Sequence, residues 1–128
     1  MSHAITIKVR GYHLDLYRHV NNARYLEFLE EARWSFLESR GSIESLEKSG
    51  HTFAVVNINI NYRRAAYMGE VLQITTVLKA IGSRSCVMRQ LVTLQAVSYT
   101  HLGWRRNTGY RFAPAPPRMN AYGWSLLN

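Results

Sequence analysis

The sequence predicts an α+β domain in which an antiparallel sheet is wrapped around one long central helix. Three observations lead there. A continuous apolar stripe at helical spacing runs between Asn22 and Gly41. Several long segments repeat with a two-residue period, and two of them are separated by only three residues. A single long helix is too little to cover both faces of a parallel sheet, so the strands are expected to pair antiparallel. At 128 residues the chain is expected to form one domain, 1–128.

The elements follow in order. Ile5 to Tyr12 alternates Ile5, Ile7 and Val9 against Thr6, Lys8 and Arg10, the pattern of a half-buried strand, and Gly11 marks a bend. Residues 13–21 are polar and irregular. Asn21 and Asn22 are both candidate N-caps for the helix that follows. Its stripe comprises Tyr25, Phe28, Leu29, Ala32, Phe36 and Leu37, and Gly41 is a plausible stop. Ser42 to Ser49 reads as a short second helix or turn. Residues 52–64 alternate Val56, Ile58, Ile60 and Tyr62 against Asn57, Asn59, Asn61 and Arg63, a strand by period. Glu70 to Ile81 and Ser85 to Ala96, joined by Gly82-Ser83-Arg84, suit an antiparallel hairpin. Residues 97–128 are atypical: they carry no acid, three prolines and two of the three tryptophans, with no sustained period. An irregular ordered cap and a non-native or disordered tail are both open readings of that stretch.

Composition narrows the class of function. An apolar content of 47% fits a globular chain, and no run approaches the roughly 18 apolar residues of a spanning helix. The N-terminus lacks the apolar core of a signal peptide, and the one cysteine, Cys86, cannot form an intrachain disulfide. A cytoplasmic location is therefore expected. The net charge of +8 is uneven: all eight acids lie at or before Glu70, whereas Val71 to Asn128 holds seven basic residues and no acid. Such asymmetry points to a polyanionic partner, whether nucleic acid, membrane surface or a phosphate-bearing cofactor.

Chemistry concentrates in Asp15 to Trp34, DLYRHVNNARYLEFLEEARW. Asp15 is the only Asp in the chain and precedes the helix start. A helix N-terminus offers backbone N–H donors and the positive dipole end to a developing oxyanion, while the acid offers a nucleophile or general base. The plainer alternative is that Asp15 is a turn residue. His13, His51 and His101 show no ligand spacing, so no metal site is expected. Glycine-rich phosphate loops, Cys–His pairs and G-x-S-x-G elbows are absent from the sequence.

KVRGYHLDLYRHVNNARYLEFLEEARW followed by VVNININYRR resembles the hot-dog-fold acyl-CoA thioesterases of the 4-hydroxybenzoyl-CoA thioesterase-like superfamily, and within it the bacterial long-chain branch. The resemblance covers about residues 5–95. It implies a five- or six-stranded antiparallel sheet around the helix, a homodimer or homotetramer, and acyl-CoA bound at the subunit interface without a cofactor. It implies that Asp15 is the nucleophile or water-activating base and that the oxyanion donor is a main-chain N–H at or near Asn22.

His19 is expected to orient the loop, bond Asp15 or touch substrate, a structural role being the simpler reading. Tyr25, Asn57, Asn59 and Asn61 are candidate substrate contacts, with interface or solvated positions as the alternative for the asparagines. Arg63 and Arg64, with Lys79, Arg84 and Arg89, are candidates for coenzyme A phosphates; singly, each is more simply a surface cation. Glu30 and Glu31 fit a solvated or ion-paired helix face. The family's last strand is only faintly echoed, by Thr108-Gly109 and Pro114 to Pro117, after an interruption at Gly103-Trp104-Arg105-Arg106. Two rivals remain. One is a hot-dog protein that binds acyl-CoA or assembles without turnover. The other, less favoured, is a basic nucleic-acid-binding module, suggested by a pI near 10.1 but by no recognition motif.

Overall fold

The computed structural model describes residues 2–95 and, for its backbone, the strand Met119–Leu127. The order is β1 (Ser2–Lys8), a 3-10 turn (Gly11–His13), α1 (Asn22–Glu38), α2 (Ser42–Ser49), β2 (Ala54–Ile60), β3 (Val71–Ile81), β4 (Ser85–Leu94) and β5 (Met119–Leu127). All described pairings are antiparallel, in one five-stranded sheet ordered β1-β3-β4-β5-β2. The echoes at Thr108-Gly109 and Pro114 to Pro117, the interruption at 103–106, and His101 lie outside the described residues.

α1 forms where its stripe demands. Tyr25, Phe28, Leu29, Ala32 and Phe36 are all buried, and the helix contacts β3 and β1. From the sheet, Leu72, Ile74, Met88 and Val92 meet this face in the same core. Each large apolar side chain so buried contributes about 1.5–3 kcal/mol before conformational entropy is subtracted. Alternation in β3, with Leu72, Ile74 and Thr76 inward, confirms the two-residue period read there.

One polar group crosses the layers. Gln90 on β4 is fully buried; its Nε2 donates to the Leu29 carbonyl at 2.9 Å and to Thr76 Oγ1 at 3.0 Å, and its Oε1 accepts from Arg33 at 3.3 Å. An amide with these partners avoids the cost of an unsatisfied buried polar group and fixes how α1 lies on the sheet.

Three boundaries differ from the periodicity. β1 ends at Lys8; Val9 still points inward in phase with Ile5 and Ile7 and exchanges backbone bonds with Glu70 and Gly69, and the chain then tightens into the 3-10 turn. β2 is shorter than 52–64, and register shifts between Val55 and Asn57 and between Ile58 and Asn59 interrupt its alternation. Asn61 lies beyond its end. β5 occupies a stretch without a readable period and lies between β4 and β2; Gly123 is paired in neither register, as expected of glycine at a strand irregularity.

Candidate active site

The chain between β1 and α1 folds back on itself. An antiparallel bridge joins Leu14 to Val20, and the Asp15 N–H donates to the His19 carbonyl at 2.8 Å. The Arg18 N–H donates to the Asp15 carbonyl at 3.0 Å, closing a turn over residues 15–18. Arg18 takes the left-handed conformation at φ 62°, the one non-glycine described residue to do so. A short acid suits this loop, because Asp and Asn bond their own backbone two residues on more strongly than Ser or Thr does. Asp15 Oδ1 accepts the Tyr17 N–H at 2.8 Å and the His19 N–H at 3.2 Å. Both bonds fall on one oxygen, so the half-buried carboxylate is oriented while Oδ2 takes part in neither.

The loop is anchored to the rest of the fold. The Val20 N–H donates to the Ala66 carbonyl at 2.9 Å, and His19 bridges Tyr67, their rings meeting edge to face with centroids 5.1 Å apart. His19 thus holds Asp15 through its main chain, while its ring packs on Tyr67.

Asn21, not Asn22, is the N-cap. Its φ/ψ is extended, and its Oδ1 accepts the Ala23 N–H at 2.9 Å. Asn22 is the first helical residue, whose N–H belongs to the orphan donors of a helix start. No acidic residue occupies the first turn, so the positive dipole end is not neutralised from within the helix. Tyr62 Oη donates to the Asn22 carbonyl at 3.3 Å, bringing the chain after β2 to this point.

The structure brings Asp15, His19 and Asn22 into one loop-and-helix unit and disperses the remaining candidates. Tyr25 is a core residue: its hydroxyl accepts the Ala66 N–H at 3.2 Å, its ring meets Phe28 and Tyr62 edge to face, and burial pushes its pKa up. Asn57 and Asn59 are exposed on β2, with Asn61 exposed just after it. Arg63 is exposed, whereas Arg64 makes a forked pair with Glu70 at 2.9 and 3.4 Å, and Glu70 also accepts the Tyr67 N–H. Lys79, Arg84 and Arg89 lie on the β3–β4 hairpin, and Glu30 and Glu31 are exposed on α1.

His13 was not singled out by its spacing. It is buried; its Nδ1 accepts the Arg10 N–H at 2.9 Å, and its carbonyl accepts the N–H of the N-cap Asn21 at 2.9 Å. Burial, then the charge of Arg24, holds its pKa below the ordinary 6.5; Glu27 opposes this and Arg10 adds to it. Nothing in the sequence marked it apart from its place two residues before Asp15.

A carboxylate fixed in the loop that leads into a helix is the kind of group that delivers an oxygen nucleophile, or a water it has deprotonated, to a carbonyl whose oxygen faces helix N–H groups. Among the described residues, no three His, Cys, Asp or Glu side chains are placed to hold a metal ion, and no helix is long and apolar enough to cross a membrane.

Comparison with known proteins bears on the same stretch. The sequence pattern of the Thioesterase-like superfamily matches residues 9–121. The long-chain acyl-CoA thioesterase FadM of Escherichia coli K12 is 55% identical over 89 residues, which is 70% of this chain and 67% of that one. A chloroplastic acyl-acyl carrier protein thioesterase of Arabidopsis thaliana is 34% identical over 61 residues, 47% of this chain and 32% of its own. Among solved structures, the probable thioesterase YbaW of Escherichia coli superposes with a TM-score of 0.76 at 40% identity, covering 97% of this chain and 80% of that chain. A hypothetical protein from Thermus thermophilus gives 0.76 at 26% identity, over 99% and 82%.

Proposed function

The chain belongs to the Thioesterase-like superfamily and is a thioester hydrolase, and from that premise we propose that it cleaves acyl-CoA thioesters to a free acid and coenzyme A, using Asp15 at the start of α1. The observation that carries this reading is the Asp15 carboxylate, oriented through Oδ1 by two backbone N–H groups in the loop that leads into a helix with no acid in its first turn. A medium- to long-chain acyl group is part of the proposal, supported by the long-chain activity in the name of the E. coli relative.

In the base route, Asp15 takes a proton from water and the hydroxide adds to the thioester carbon. The tetrahedral oxyanion is met by the Asn22 N–H, and collapse expels the coenzyme A thiolate, which recovers the proton. In the nucleophile route, Asp15 itself adds and expels the thiolate, and water then hydrolyses the mixed anhydride. Both routes need the same two groups, and neither needs a cofactor. Around them, His19 holds the loop, Tyr25 ties α1 to Ala66, and Arg64 with Glu70 braces residues 64–70. Arg63 is the better placed of the two arginines for a coenzyme A phosphate, since it has no ion-pair partner among the described residues.

The proposal includes a homodimer or homotetramer in the cytoplasm. β2 ends the described sheet and exposes Val55, Val56 and Ile58, which supports a second copy seated there; Asn57, Asn59 and Asn61 would then lie near the interface. Incubation with palmitoyl-CoA tests the activity: one thiol and one fatty acid per turnover are expected. No thiol from acyl-CoA of any chain length would overturn it.

A further inference from the structure

Two loops meet beside Asp15, and both present apolar side chains to solvent. One runs from Arg10 to His19, the other from Ala66 to Gly69. They are joined by the Gly69 N–H, which donates to the Val9 carbonyl at 2.9 Å, and by the bridge between His19 and Tyr67. Gly11 lies against Met68: a Cβ there would stand 3.7 Å from the thioether sulfur. On these loops Leu16 is 91% exposed, Tyr17 76% and Met68 66%, and Tyr12 and Tyr67 are exposed as well.

Single exposed apolar residues are ordinary; five on two adjoining loops mark an interaction surface. The tip is also held in place. The Leu14–Val20 bridge and the reciprocal Asp15–His19 bonds fix the turn that carries Leu16 and Tyr17. A pre-ordered tip loses little conformational freedom when a partner arrives.

The charges around the patch select the partner. Residues 8–19 and 66–69 hold Lys8, Arg10 and Arg18, all exposed, against one acid, Asp15. That acid is half-buried, with Oδ1 bonded to the loop's own N–H groups. Arg18 directly follows the Leu16–Tyr17 tip, and Arg10 stands two residues before Tyr12. Apolar tip, tyrosines and flanking cations match the layers of an anionic bilayer. Leu and Met suit the hydrocarbon boundary, tyrosine rings the headgroup level, and arginines the lipid phosphates. A two-fold contact of this patch with its own copy would instead bring in a second set of the same cations.

We infer that loops 10–19 and 66–69 dock the protein on an anionic lipid surface, with Leu16 and Met68 entering the acyl boundary and Asp15 beside it. The consequence for turnover rests on the acyl-CoA reading above. A long acyl-CoA is itself an amphiphile that partitions into bilayers, and a docked site meets it there.

Co-sedimentation of the full chain with vesicles tests the docking without turnover. Binding to mixed phosphatidylcholine–phosphatidylglycerol vesicles is expected, about tenfold weaker on phosphatidylcholine alone and weakened again as NaCl rises from about 0.05 M to about 0.5 M. Leu16→Ser combined with Met68→Ser is expected to lower the partition coefficient about tenfold, with hydrolysis of hexanoyl-CoA in vesicle-free buffer unchanged. Circular dichroism checks that this variant is folded. Arg10→Gln combined with Arg18→Gln should weaken binding and flatten its salt dependence.

Attraction by the net charge of +8 alone would leave the Leu16/Met68 variant bound as tightly as the native chain, and that result would overturn the inference. Equal binding to the two kinds of vesicle, or a native chain that stays in the supernatant, would also overturn it. If the native chain ignores vesicles and the Leu16/Met68 variant forms a smaller oligomer by light scattering, the patch belongs to contacts between copies. Vesicle binding that depends on Leu16 and Met68 in a protein that releases no thiol would retain the docking surface and overturn only the hydrolase reading.

Discussion

Asp15 and His19 are tied together twice: the Asp15 N–H donates to the His19 carbonyl at 2.8 Å, and the His19 N–H donates back to Asp15 Oδ1 at 3.2 Å. The reciprocal pair makes the candidate acid part of a small antiparallel ladder rather than a free loop side chain. Its orientation therefore depends on the loop's backbone, and several outcomes follow from that dependence.

Arg18 closes the ladder at φ 62°, where a side chain with Cβ costs about 1–2 kcal/mol. Arg18→Gly should leave stability unchanged or raise it by up to about 1 kcal/mol, part of the gain being offset by the freer unfolded chain. Arg18→Val, β-branched at positive φ, should lower it by about 1–2 kcal/mol. Urea midpoints measure both. Equal midpoints for the two variants would show that the left-handed turn is not formed.

Asn21 supplies the cap beneath the proposed oxyanion donor. Asn21→Ala should cost about 1 kcal/mol and Asn21→Ser far less, because Ser keeps an acceptor for the Ala23 N–H. Turnover should fall with Ala and largely recover with Ser. Recovery absent in a folded Ser variant would place the role of Asn21 elsewhere.

Gln90 links α1 to the sheet in a site with no exposure. Gln90→Leu keeps volume but removes the donors to Leu29 and Thr76 and the acceptor for Arg33; a loss of about 1–3 kcal/mol is expected in chemical denaturation. A loss below a few tenths of a kcal/mol would mean that these bonds contribute nothing net.

His13 makes stability depend on pH. Its folded pKa lies below 6.5, so the unfolded chain takes up the proton first. Stability is then complete above the unfolded value and is lost as pH falls from about 6.5 through the folded pKa. The Nδ1 acceptor for the Arg10 N–H is lost on protonation. Stability measured between pH 7.5 and 5 should decline in the native chain and decline less in His13→Asn. An equal decline in both would remove His13 as the source.

Legibility in the sequence tracked how local the physics is. α1 and the β3–β4 hairpin were readable because periodicity and turn residues are recorded within a few positions of where they act. Asp15 and the helix start were readable for the same reason: turn, cap and first helical turn lie within ten residues. The choice between Asn21 and Asn22 as cap was not, since both side chains fit and only φ/ψ decides. β5 was invisible because MNAYGWSLL lacks alternation, and its extended form is imposed by β4 and β2 on either side. The pairing of Arg64 with Glu70, the burial of His13 and the bonds of Gln90 depend on segments brought together only by the fold.

The most direct test of the central claim is thiol release from palmitoyl-CoA by the native chain and by Asp15→Asn, with circular dichroism and urea midpoints measured for both. Asn keeps an acceptor for the Tyr17 and His19 N–H groups, so the loop should persist. The account predicts turnover lowered by about 10²–10⁴-fold in a folded variant. Undiminished turnover by folded Asp15→Asn would contradict it.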